Sequence, residues 1–108
     1  EGFTVAWGVS NWSANRIHEL ASAALVNGER LAMSSPQVSL AIPTEPVYEG
    51  TTHLDDAVKS VSLAHSITTL GWSALAGGYL VTGSEGAPWA SKENECRRQR
   101  LEELSEQT

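Results

Sequence analysis

The sequence predicts an α/β fold in which strands and helices alternate along the chain and the strands run parallel. Apolar patterning indicates strands over 3–9, 31–37 and 67–72. Apolar residues at helical spacing indicate helices over 14–27 and 54–65. Strands that recur at intervals of roughly 30 residues, with one helix between them, are typical of consecutive βα units in a parallel sheet.

The first βα unit begins with a strand whose two faces differ. Large and small residues alternate along it, which predicts that all the large ones lie on the same face. The large residues are Phe3, Val5, Trp7 and Val9. Ser13 is the expected N-cap of the following helix, and Asn27 with Gly28 supplies the stop.

The second unit contains a long predicted loop. Residues 43–50, rich in Pro and Gly, connect the second strand to its helix, and the stretch 43–54 has no assigned chemical role. One face of that helix carries Leu54, Val58 and Val61, and its start carries Asp55 and Asp56, which favour the helix dipole.

The third strand runs into a loop over 73–78, and Ser91 opens a last, heavily charged helix. Leu101 and Leu104 are the expected main apolar contacts of this helix, which should lie on a surface. Three parallel strands alone would expose two edges and be marginal in isolation. We therefore expect residues 1–108 to form a single partial domain, incomplete at both ends.

Composition excludes several classes of partner. A chain of 108 residues with 41% apolar content has the size of one globular domain. Its net charge of -6 argues against nucleic acid or an anionic membrane as partner, because both attract positive surfaces. Cys96 is the only cysteine, which excludes an internal disulfide, and no spacing of Cys or His suggests a metal site.

No apolar run approaches the roughly 18 residues that a membrane span requires. Residues 1–10 lack the basic start and apolar stretch of a signal peptide. We therefore expect a cytoplasmic protein. The three histidines fit scaffold positions better than a shared site: His18 on the first helix, His53 in a loop and His65 at a helix end.

Polar or aromatic residues follow all three predicted strands: Ser10 with Asn11, then Gln37, then Trp72 with Ser73. Ligands of parallel βα barrels bind at the carboxyl ends of the strands. Ser, Asn and Gln carry the donors and acceptors that a primary amide such as the nicotinamide carboxamide needs, and Trp offers a flat face for stacking.

Each feature alone has a simpler interpretation. Ser10 with Asn11 suits an ordinary turn, Gln37 a polar strand end in solvent, and Trp72 a core position. Gly77 with Gly78 suits a turn as well, although glycine also lets backbone N–H groups approach phosphate oxygens. Their occurrence at three successive strand ends favours the ligand-binding interpretation.

Three segments together resemble consecutive motifs of the aldo-keto reductase family. They are Gly8-Val9-Ser10-Asn11-Trp12, Ser35-Pro36-Gln37-Val38-Ser39-Leu40 and Gly71-Trp72-Ser73-Ala74-Leu75-Ala76-Gly77-Gly78-Tyr79-Leu80. Residues 89–100 also resemble the segment before the last strand in a bacterial-type branch. The resemblance covers nearly the whole chain and implies a partial (β/α)8 TIM barrel, with three βα units that span about its fifth to seventh strands.

The resemblance also implies roles for individual residues. Ser10, Asn11 and Gln37 match positions that hydrogen-bond the nicotinamide carboxamide. Trp72 matches the position whose ring, usually Tyr, stacks on the nicotinamide. The loop that wraps the pyrophosphate is matched by Ser73, Leu75 and Gly77. Ala74 stands where the family usually has Pro. Because Ala does not fix the backbone as Pro does, the loop is expected to be less rigid than in the family.

The activity implied by the resemblance is NADP(H)-dependent reduction of a small-molecule carbonyl compound. The family's catalytic Tyr, Lys, Asp and His lie on earlier strands, and nothing in this chain matches them. The isolated chain is therefore expected to be inactive. Two alternatives remain open: a cofactor-sensing or partner-completed binding module, and a decayed remnant without activity.

Overall fold

A computed structural model of the chain describes residues 2–83, 86 and 88–108. In this described part, three short parallel strands form one sheet in the order β1-β2-β3. They are β1 (Gly8–Ser10), β2 (Met33–Ser35) and β3 (Thr68–Thr69). The predicted α/β class and parallel sheet are confirmed.

Helices follow the strands in the expected alternation. They are α1 (Ala14–Val26), α2 (Asp56–Ala64), the one-turn α3 (Tyr79–Thr82) and α4 (Lys92–Glu106). A 3₁₀ turn, Ala76–Gly78, precedes α3, and neither of these two elements was predicted. The predicted boundaries of α1 and α2 agree with the structure to within two residues, and α4 begins directly after Ser91 as predicted.

Side-chain caps explain the starts of α2 and α4. The carboxylate of Asp55 accepts a hydrogen bond from the Val58 N–H at 2.8 Å, and the Ser91 hydroxyl accepts one from the Asn94 N–H at 3.1 Å. Ser13 occupies the N-cap of α1 as predicted, but its side chain makes no capping hydrogen bond.

The first strand is much shorter than the predicted 3–9. Ala32 N–H donates to the Trp7 carbonyl, and Gly8 pairs with Met33, so pairing begins there. In the described part of the chain, residues 2–6 make no backbone hydrogen bond, and Phe3 and Val5 are 95% and 107% exposed. An alternating pattern becomes a strand only where a neighbour pairs with it, and these residues have none here.

Helices α1 and α2 cover one face of the sheet. The apolar residues buried there, which we call the sheet cluster, are Ile17, Ala21, Leu31, Val58 and Ile67. Val9 of β1 packs against them, as do Leu54 and Val61 beside Val58. The predicted apolar face of α2 is therefore confirmed.

The opposite face of the sheet, which we call the open face, is not covered by any helix in the described part of the chain. Exposed residues on this face are Gly8, Ser10, Thr68 and Leu70. The Met33 side chain lies over Gly8, where an added Cβ would be 2.5 Å from the Met33 carbonyl oxygen. Only glycine fits beside this backbone.

A second group of buried residues lies beyond the carboxyl ends of the strands. This loop cluster consists of Ala41, Ala76, Tyr79, Leu80 and Trp89. Leu101 of α4 packs against it as predicted, whereas Leu104 is 55% exposed, so the predicted contact at Leu104 is wrong. Leu104 instead lines an open depression on the surface together with Leu40 and Leu101.

Candidate functional site

Backbone hydrogen bonds bring the three strand ends to one edge of the sheet. Asn11 N–H donates to the Ser35 carbonyl at 3.1 Å. Two further bonds, from Val38 N–H to the Trp72 carbonyl at 3.1 Å and from Trp72 N–H to the Pro36 carbonyl at 3.3 Å, extend the pairing past β2 and β3. The residues predicted at successive strand ends are thus neighbours in space.

Asn11 turns the chain sharply after β1. Its φ of 58° lies in the left-handed region, which Asn tolerates better than most residues. The side-chain Nδ2 donates to the Ser10 hydroxyl at 3.3 Å, and Oδ1 accepts from the Thr52 N–H at 3.3 Å. The Ser10 hydroxyl donates in turn to the Ser35 carbonyl at 3.1 Å. Both side chains are therefore oriented by the protein.

Gln37 is buried at 2% exposure, so the interpretation of this residue as a polar strand end in solvent is wrong. Its Nε2 donates to the Ser39 hydroxyl at 2.9 Å and to the Ser73 carbonyl at 3.4 Å. The Oε1 atom accepts no hydrogen bond from the described residues. The amide is thus fixed in orientation and keeps an acceptor.

The end of the 43–54 stretch runs alongside Gln37. Gln37 N–H donates to the Thr52 carbonyl at 2.8 Å, and Leu54 N–H donates to the Gln37 carbonyl at 2.9 Å. Gln37 therefore pairs in parallel with His53 on one side and with Trp72 on the other. Sequence reasoning missed this placement, because three residues without a periodic pattern carry no strand signal.

A pocket of about 230 Å³ lies between this stretch and Gln37. Its walls include Pro43, Glu45, Val47, Thr52 and His53. The loop without an assigned role thus forms a wall beside the predicted nicotinamide-binding residues.

Trp72 is half-buried beside Gln37. Its Nε1–H is buried and has no hydrogen-bond partner among the described residues. An unpaired buried donor costs about 1–3 kcal/mol, so this ring edge is a local source of instability in the described structure.

The loop after Trp72 uses some of its N–H groups and leaves others unused. Ala76 N–H donates to the Ser73 carbonyl at 2.9 Å, and Gly77 N–H donates to the Ser73 hydroxyl at 3.2 Å. The N–H groups of Ser73, Ala74 and Leu75 donate to no acceptor in the described part of the chain. Consecutive unpaired N–H groups can bind an anion, and residues 73–75 keep such donors, whereas the N–H groups of Gly77 and Gly78 are already used.

The pKa shifts in the described part of the chain lie away from these strand ends. A hydrogen bond from Arg98 lowers the pKa of Glu95, although partial burial opposes the shift. The same hydrogen bond raises the pKa of Arg98, which also pairs with Glu102. Both groups are on α4 and stabilise that helix.

Comparisons with protein-family models, curated proteins and solved structures find no match to this chain. Among the described residues, no three His, Cys, Asp or Glu side chains gather as metal ligands. No helix in the described ranges has both the length and the apolar character to cross a bilayer.

Proposed function

We propose that this chain holds the nicotinamide end of NADP(H) in an aldo-keto reductase barrel. The observation that supports the proposal is the meeting of Ser10, Asn11, Gln37 and Trp72 at one edge of a parallel sheet. Ligands of parallel βα folds bind at this edge. The polar side chains there are already oriented, which reduces the entropy lost on binding.

The barrel part of the proposal is supported by the unfinished sheet. Of the described strands, β1 and β3 each pair only with β2, and the open face has no helix over it. Parallel sheets are normally covered on both faces, and in a barrel the second face is filled by the other strands. In such a barrel the open face, which carries Gly8, Ser10, Thr68 and Leu70, would be turned toward the interior.

The nicotinamide carboxamide would be held by Ser10, Asn11 and Gln37. Gln37 Oε1 supplies an acceptor for the carboxamide NH₂, and Asn11 Nδ2 has a second proton to donate to its oxygen. The Trp72 ring provides the stacking surface. These groups fit an uncharged planar amide better than a charged ligand, because no charged side chain is among them.

The pyrophosphate would be held by the loop after Trp72. The unused N–H groups of Ser73, Ala74 and Leu75 supply donors without a positive side chain. Gly77, at φ 62°, completes the turn that holds these donors in place.

In the proposed enzyme, NADPH supplies the hydride that reduces a small-molecule carbonyl compound in the cytoplasm. This chain contributes orientation: it fixes the carboxamide and presents one face of the ring. The proton donor and its helpers belong to strands outside the three described here. The pocket beside His53 adjoins this site.

Titration of the 108-residue chain with NADPH, followed by tryptophan emission, tests the binding role. We expect a saturable change, and about tenfold weaker binding in Asn11→Gly, which keeps the positive φ but removes the amide. Trp72→Phe should remove most of the emission change. No saturable change in the wild-type chain would contradict the proposal.

Trp12→Phe is the matched control. Trp12 lies next to α1, where the guanidinium carbon of Arg16 is 4.1 Å from its ring centroid. Because this ring is outside the proposed site, its replacement should leave the NADPH-dependent change in emission intact.

The coding sequence upstream of this chain tests the enzymatic part of the proposal. It should encode an Asp, a Tyr, a Lys and a His at strand ends, and the 108-residue chain alone should consume no NADPH with an aldehyde. Reduction by the chain alone would show that the catalytic groups were assigned wrongly.

A second candidate function is a binding module completed by another chain. The unpaired edges of β1 and β3 favour it, because edges of this kind accept a further strand. Sedimentation of the purified chain tests the case in which the completing chain is a second copy. A module of this kind should form a defined dimer, whereas a barrel segment should sediment as a monomer or aggregate non-specifically.

A further inference from the structure

Two histidines from distant parts of the sequence meet on the helical side of the sheet. Nδ1 of His18, on α1, lies 2.9 Å from Nε2 of His65, at the C-cap of α2. The ring centroids are 5.0 Å apart and the planes are tilted by 56°. The sequence separation is 47 residues, so the pair exists only because α1 and α2 pack together.

The distance between the two nitrogens suits shared coordination of one metal ion. Two imidazole nitrogens bound at about 2.0–2.1 Å lie about 2.9 Å apart in a square-planar site and about 3.3 Å apart in a tetrahedral one. The observed 2.9 Å matches the distance for the first geometry, and in either geometry both rings must rotate so that their lone pairs turn from each other onto one ion. Without metal, the same two atoms share one proton in an N–H···N hydrogen bond.

The surroundings leave room for further ligands. His18 is exposed and His65 is half-buried, so water can complete the coordination sphere. The remaining ring nitrogens, Nε2 of His18 and Nδ1 of His65, make no hydrogen bond within the described residues and can each carry a proton. Arg30 lines the depression beside His65, and its positive charge opposes cation binding.

We infer that His18 and His65 form a binding site for one divalent transition-metal ion of the Cu²⁺, Ni²⁺ or Zn²⁺ class. Imidazole is a preferred ligand for these metals. The bound ion replaces the shared proton and links α1 to α2, so it stabilises the packing of both helices on the sheet. The site is separate from the proposed cofactor site, on the other side of the sheet cluster from the open face.

Zn²⁺ binding to the tag-free 108-residue chain tests the inference, by competition with a chromophoric chelator and by thermal unfolding. We expect one ion per chain. At a free Zn²⁺ concentration of about a hundred times Kd, the Tm should rise by roughly 10 °C. Binding should weaken at acid pH, because protons compete for the same nitrogens.

Single substitutions locate the ion. His18→Gln and His65→Gln should each abolish the Tm shift, and His53→Gln should retain it, because His53 lies in the 43–54 stretch. Arg30→Gln should tighten binding by removing a nearby positive charge. Equal Zn²⁺ binding in all three histidine variants would overturn the inference, and so would its absence from the wild-type chain.

Electron paramagnetic resonance of the Cu²⁺-loaded chain gives an independent readout of the ligands. Coupling to two imidazole nitrogens is expected in the wild type, and to one at most in His18→Gln. Coupling that is unchanged by this substitution would also overturn the inference, whatever its effect on stability.

Discussion

The sheet cluster and the loop cluster are two cores of one chain, and different interactions hold them together. Aliphatic side chains from two helices and two strand regions make up the sheet cluster, as with Ile17 and Val58. The loop cluster contains the large aromatics Tyr79 and Trp89, contributed by short turns. A buried polar residue, Asn94, fastens α4 to these turns.

The side chain of Asn94 makes hydrogen bonds with backbone groups that, in a helix or sheet, would be paired with other backbone groups. Its Oδ1 accepts from the Ile42 N–H at 2.9 Å, and its Nδ2 donates to the Ile42 carbonyl at 2.7 Å and to the Trp89 carbonyl at 2.8 Å. Helices and sheets pair their own backbone groups, whereas packed loops do not. In the loop cluster, a buried amide side chain pairs backbone groups that the loops leave free. In the sheet cluster, the helices and strands pair their own backbone groups, so apolar contacts are enough to hold it together.

The largest expected effect is from Ile17→Ala in the sheet cluster. Ile17 is 0% exposed, and its truncation leaves a cavity at the centre of the contacts between helix and sheet. We expect the free energy of unfolding to fall by about 4 kcal/mol, measured by urea denaturation. Ile17→Val, which removes one methyl group, should cost only about 1 kcal/mol; equal losses would show that the site collapses around the smaller side chain.

The second-largest loss of unfolding free energy is expected from Gly8→Ala. The new Cβ would be 2.5 Å from the Met33 carbonyl oxygen, and this backbone atom cannot move without disturbing the pairing of β1 with β2. A loss of about 3 kcal/mol in unfolding free energy is expected. Gly86→Ala is the control, since none of the described residues has an atom within 4 Å of the Cβ that it adds; a similar loss there would refute the steric explanation.

Asn94→Ala should cost about 2 kcal/mol, because it leaves the buried Trp89 carbonyl and the part-buried backbone groups of Ile42 without their partner. The loss of stability should be confined to the loop cluster and α4. In a background in which Trp7, Trp12 and Trp72 are replaced by Phe, Trp89 emission should change at lower urea than the far-UV circular dichroism signal, to which α1 and α2 contribute. Coincident transitions would instead mean that the two clusters unfold as one unit. Asn15→Ala, at an exposed position of α1, serves as the control.

The smallest effect is expected from Glu95→Gln on α4. The pKa of Glu95 is lower in the folded chain than its ordinary value, chiefly through the hydrogen bond from Arg98. Its contribution is therefore present above the ordinary carboxylate range, near about pH 4, and is lost as the pH falls through the lowered pKa. The difference in stability between wild type and variant should shrink on acidification; a difference independent of pH would exclude this ion pair as its source.

Much of the local structure follows from the sequence. Ser91 and the Asn27-Gly28 pair mark helix ends correctly, because capping depends on residues one turn apart. The faces of α1 and α2 are also predictable, since burial of Ile17 and Val58 follows the helical period.

The candidate site is only partly predictable. The sequence predicts that Ser10, Asn11, Gln37 and Trp72 end successive strands, and the structure brings these strand ends together. The burial of Gln37 between His53 and Trp72 was not predictable, because it depends on a loop returning to the sheet. The cofactor roles themselves stay predictions.

By itself, the sequence determined the alternation of strands and helices, the helix ends and the polar character of the strand ends. These features depend on periodicity and on neighbours within about one helical turn. Only the tertiary structure decided how long each strand is, which amides are buried and that His18 meets His65. Such features depend on pairing between segments far apart in the chain. A local sequence pattern does not indicate which distant segment will be the partner.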